Sequence, residues 1–105
     1  MNKLLALALL CASTANAAFF DGNALHRQMQ DDRTLAIGFV MGVHDALDGE
    51  AVCSPVNVTS GQVTDIVAAF LVRRPEARHE KASVLVAAVL VTTWPCAKAR
   101  TGKNT

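Results

Sequence analysis

The sequence predicts an all-α protein, a small compact bundle of three to four helices with one disulfide, behind a cleaved signal peptide. Three observations carry that expectation. Apolar residues recur at helical steps in the two longer segments, residues 23–47 and 59–74. A third segment, residues 81–94, is almost uninterrupted apolar sequence, and two cysteines stand in loop-like positions after the leader.

The leader is residues 1–17, MNKLLALALLCASTANA. It combines Lys3, an apolar run over residues 4–12, and small residues at Ala15 and Ala17 in an A-x-A arrangement, the layout of a secretory signal peptide cut before Ala18. The run is too short to span a bilayer, which needs about 20 apolar residues. Leu10, not a small residue, precedes Cys11, which argues against lipidation there. The expected division is a signal peptide at 1–17, one helical domain at 18–96 and a flexible basic tail at 97–105 carrying Lys98, Arg100 and Lys103.

Export removes Lys3 from the ten Lys and Arg residues, leaving nine to face nine Asp and Glu. A formal charge of zero leaves no electrostatic footprint for nucleic acid. Cys11 also departs, and the remaining Cys53 and Cys96 permit one intramolecular disulfide in an oxidising compartment. The competing reading, a catalytic thiol, requires one of them unpaired.

The first helical pattern runs through Leu25, Met29, Ala36, Val40, Val43 and Leu47, and the polar QDDRT interrupts it, which allows two helices with a break near residues 31–33. Gly49 is placed to terminate the second. EAVCSPVNV has a proline and no helical period, so it is expected as a loop carrying Cys53. Thr59 with Gln62 three residues on forms a capping-box pattern ahead of the stripe Val63, Ile66, Val67, Phe70, Leu71. Asn57-Val58-Thr59 also matches a glycosylation sequon, but the cap explains Thr59 better. Pro75 ends this helix and RRPEARHE is a charged connector. ASVLVAAVLVTTW is rich enough in β-branched residues for a strand, yet its length and the lack of any pairing strand favour a helix. Being apolar on nearly every face, that helix is expected either at the centre or in a subunit interface.

Little in the chain suggests catalysis. His26, His44 and His79 lie in three segments without metal-ligand spacing, and no cofactor or metal is expected. His44 and Asp45 are neighbours, and adjacent helical residues do not face each other, so His44 is expected at a surface position. Ser54, Ser60 and Ser83 lie in no nucleophile motif, and the glycines make no phosphate loop. Gly38 and Gly42, four apart on one helix face, each cost about 1 kcal/mol against alanine. They are expected to form a smooth face against which a helix of this chain or of a second copy packs.

The pattern Gly38-Phe39, then Gly42, Val43, Asp45 and Ala46, then Cys53-x-Pro55, then Thr59 to Gln62, then Pro75-x-x-Arg78, and finally Trp94-Pro95-Cys96 resembles the Rap/Tai family of immunity proteins. These protect bacteria from peptidoglycan amidase toxins delivered by type VI secretion. The order and spacing of the pieces are what is specific. Where many relatives carry a second cysteine pair, this chain has Met29 and Ala36. The resemblance implies a periplasmic, non-enzymatic helical protein, commonly a homodimer, that binds and occludes a cognate amidase. In related complexes a loop between helices reaches the toxin, which corresponds here to Arg73, Arg74, Glu76, Arg78, His79 and Glu80. The alternative is a periplasmic helical adaptor or structural protein of the same domain family with no toxin partner.

Overall fold

Asp21 opens the first helix by accepting a hydrogen bond from the Ala24 N–H at 2.9 Å, which satisfies one of the free donors at a helix start. The structure, a computed structural model, describes residues 19–97. The expected signal peptide and the tail beyond Ala97, with Lys98, Arg100 and Lys103, lie outside the described residues. Four α-helices follow in order: α1 Gly22–Asp31, α2 Arg33–Leu47, α3 Ser60–Arg73 and α4 Ala82–Thr93, with a short 3-10 turn at Pro75–Ala77.

The anticipated break falls at Asp32. Its backbone (φ −152°, ψ 78°) leaves the helical region, its N–H closes α1 on Gln28 O, and its carboxylate caps α2 at the Leu35 N–H. Gly49 ends the α2 region with φ +85°, a conformation that favours glycine. The capping box of α3 is complete, with Thr59 Oγ1 accepting from the Gln62 N–H and Gln62 Oε1 accepting from the Thr59 N–H. Residues 82–93 are helix and not strand, and the described residues contain only isolated backbone bridges, such as Asp21 with Lys81 and Val52 with Pro95.

Each helix buries one stripe. Leu25 from α1, Ala36 and Val40 from α2, Val63, Val67 and Leu71 from α3, and Ala82, Leu85, Val86 and Leu90 from α4 form one core, joined by Val52 from the loop. The steps of three and four within each set are those of residues sharing a helix face. Ala36 is fully buried and Met29 packs on the core. α4 is not central: it is apolar throughout but covers only one of its faces, leaving Val84 55% and Val91 36% exposed.

Cys53 and Cys96 form the expected disulfide, with Cα atoms 4.9 Å apart and a sequence separation of 43. The Cys53 N–H also donates to Trp94 O at 2.9 Å, so the loop after α2 is fastened to the end of α4 by a covalent and a backbone link. No helix among the described residues is long and apolar enough to cross a membrane.

Candidate functional site

The connector at residues 73–80 is built against the start of α1. The first N–H groups of a helix lack partners within it, and here the Gly22 N–H donates to Glu80 O and the Asn23 N–H to Arg78 O, both at 2.9 Å. Those two bonds bring the connector backbone so close that only glycine fits at 22. A Cβ there would lie 2.8 Å from Arg78 Cα and O and 2.6 Å from Leu85 Cδ1. Arg78, half-buried, turns inward and donates from Nε to Leu71 O at 2.7 Å, satisfying a carbonyl at the end of α3.

The other connector side chains face solvent. Arg74 Nε donates to Glu76 Oε2, and this hydrogen bond from the guanidinium, with help from the backbone, holds the Glu76 carboxyl below its ordinary value. His79 donates from Nδ1 to Glu76 O at 3.0 Å and presents Nε2 to Glu80 Oε2 at 3.4 Å. The Arg73 side chain has no hydrogen bond or ion pair among the described residues. The structure therefore brings Arg73, Arg74, Glu76, His79 and Glu80 together on one exposed segment, and turns Arg78 into the support that shapes it.

The second loop, after α2, holds a correction. His44 is 7% exposed rather than at the surface. Its Nε2 lies 2.8 Å from Ser54 Oγ and its Nδ1 lies 3.1 Å from Asp45 Oδ1. Adjacency did not prevent the second contact, because Asp45 sits in the last turn of α2 and its carboxylate turns back to the imidazole edge. A carboxylate can only accept, so Nδ1 donates to Asp45, while Nε2 pairs with the Ser54 hydroxyl, which can either donate or accept. The order Ser, His, Asp matches the order of groups in a hydrolase triad. Here the serine is half-buried, lines none of the three surface hollows described in this section, and sits beside the disulfide. The arrangement clamps the Cys53 loop onto α2.

Gly38 and Gly42 lie on an open face. Nothing comes within 4 Å of a Cβ built at either position, so no described part of this chain supplies the expected close packing. They line an apolar groove with Phe39, Val43, Ser83 and Ala87 between α2 and α4. A second hollow lies between the Cys53 loop and α3, lined by Pro55, Val58, Asp65 and Ile66. A third, between α3 and α4, is lined by Ile66, Phe70, Val89 and Arg73. Among the described residues, no group of three or more His, Cys, Asp or Glu could hold a metal ion.

Gly22 and the Ser54–His44 contact are what sequence reading missed. Nothing local marks Gly22, whose constraint comes from residue 78. No curated protein and no solved structure matches the chain. The family model for Rap1a immunity proteins matches residues 3–96, which include every helix, both cysteines and the whole connector. By that match, over nearly its full length, the chain belongs to the Rap1a family of immunity proteins.

Proposed function

We propose that this chain is a periplasmic immunity protein, exported by residues 1–17, that binds a type VI secretion peptidoglycan amidase effector and blocks its cleft without catalysis of its own. The observation that carries the reading is the family match across residues 3–96. A connector pinned to α1 and α3 by three hydrogen bonds supports it, because a rigid loop loses little entropy on docking. Its exposed charges, Arg73, Arg74, Glu76, His79 and Glu80, suit polar contacts that steer association and set specificity.

The mature protein acts as a homodimer in this reading. α4 carries no charged residue, exposes Val84 and Val91, and is bordered by the groove of Gly38 and Gly42. A second copy covers that face and offsets the backbone cost of the two glycines.

The test is a cell-wall digestion assay with the peptidoglycan amidase effectors of the source bacterium, each run with and without the purified mature chain, alongside direct binding. Stoichiometric inhibition is expected. Arg74→Glu combined with His79→Trp should weaken binding while lowering the melting temperature only slightly, since both side chains are exposed and the Arg74–Glu76 pair that is lost is a surface ion pair. Unchanged affinity in that variant would remove the connector from the contact.

A further inference from the structure

We infer that the effector-binding surface extends from the connector along α3 to a valine knob at Val56, and that it fits a protein cleft with an apolar hole at one end and a carboxylate at the other. The inference rests on the immunity reading for its occupant and adds a second loop and a helix face to it. Val56 is 104% exposed relative to an extended chain, the most exposed large apolar residue among those described. Scattered surface hydrophobics are normal and carry no meaning singly. This one stands at the apex of a turn closed by the Val58 N–H on Pro55 O, and the turn is fixed on both sides.

On one side are the Cys53–Cys96 disulfide and the Ser54 contact with His44, and on the other is the capping box at Thr59. A knob so held is presented at little ordering cost. Beside it lies the hollow lined by Pro55, Asn57, Val58, Gln62, Asp65 and Ile66, and Ile66 also lines the next hollow, with Phe70 and Arg73. Ile66 therefore joins the two hollows into one strip of mixed apolar and polar lining along α3. The 14 residues of that helix rise about 21 Å, on the scale of one side of a standard interface of about 800 Å² per partner.

Charge selects the occupant. Residues 51–72 contain no Lys or Arg, and their single charge, Asp65, is paired with Arg33. An anionic lipid surface would be met by a cluster of cations, which this strip lacks. Its cation is Arg73 at the far end, without a partner among the described residues, which calls for one carboxylate on the rim of a protein cleft.

The experiment measures affinity of the full mature chain for each purified peptidoglycan amidase effector of the source bacterium, with Val56→Asp, Val56→Ser, Arg73→Glu and the control Arg27→Glu on α1. Val56→Asp should raise Kd by about tenfold or more, the loss of a buried valine side chain. Val56→Ser should fall between it and wild type. Arg73→Glu should raise Kd about fivefold, mostly through a slower, salt-dependent on-rate. Arg27→Glu should change nothing, and all four should keep the wild-type melting temperature. If wild type binds an effector and both Val56 variants bind it equally well, the strip is wrong and the immunity reading stands. If wild type binds none of the effectors, the immunity reading fails and takes the occupant with it. Binding of wild type, but not Val56→Asp, to phosphatidylglycerol vesicles would overturn the protein cleft in favour of a membrane.

Discussion

Gly22 is the residue on which the connector depends. Its N–H donates into the connector, and its missing side chain is what lets the Arg78 backbone approach. Gly22→Ala should therefore destabilise the protein by about 1–3 kcal/mol, the usual cost of overpacking, and a denaturant titration would show it as a lower midpoint. The same variant should displace residues 78–80, visible as amide shifts at those positions. Glu76 offers a second residue-scale prediction. Because Arg74 lowers its pKa in the folded state, the pair contributes stability fully above the unfolded value, and loses it as pH falls through the lower folded value. An NMR titration should place the Glu76 midpoint below the ordinary 4.5, and Arg74→Ala should return it upward.

The helices divide into those whose sequence states their surroundings and one whose sequence does not. α3 announces itself through a capping box and a stripe, and both are present as expected. The break between α1 and α2 was also legible, because two aspartates and an arginine interrupt an apolar period, and Asp32 serves both helix ends. In α2 the glycine face was readable as a packing feature, but not what it packs on. With open space at both Cβ positions, Gly42→Leu should not clash within the protomer. It should stabilise the folded chain by about 0.8 kcal/mol through helix propensity, read as a higher denaturation midpoint in dilute protein. On the homodimer proposal, sedimentation should show the same variant shifted from dimer to monomer. α4 left two outcomes open, since an all-round apolar helix fits a centre or an interface equally well. Packing excluded the centre: Ala82, Leu85, Val86 and Leu90 took the core, and Val84 and Val91 stayed exposed.

At the scale of the whole molecule, the disulfide closes the fold by joining the loop after α2 to the end of α4. With the cysteines 43 positions apart in sequence, the chain-entropy model assigns it about 4 kcal/mol, a large share for a domain this small. The double variant Cys53→Ser, Cys96→Ser should lose stability on that scale, measured by chemical denaturation. Reducing agent should have the same effect on wild type and none on the variant.

The sequence by itself determined the elements: where helices start and stop, which stripe of α3 is buried, and that Cys53 and Cys96 stand in loop positions able to pair. These are local properties, fixed by propensity, caps, period and count. The order and spacing of its motifs also pointed to the immunity family, which the match over residues 3–96 bears out. Only the tertiary structure decided what depends on residues far apart in the chain. Docking of residues 78–80 on α1 turned Arg78 from a surface charge into a support and made Gly22 indispensable. Folding of the Cys53 loop onto α2 buried His44 against Ser54. The same folding pushed Val56 into solvent, since a turn held at both ends must expose its apex. Long-range contacts leave no period in the sequence, and it is they that set which side chains face a partner.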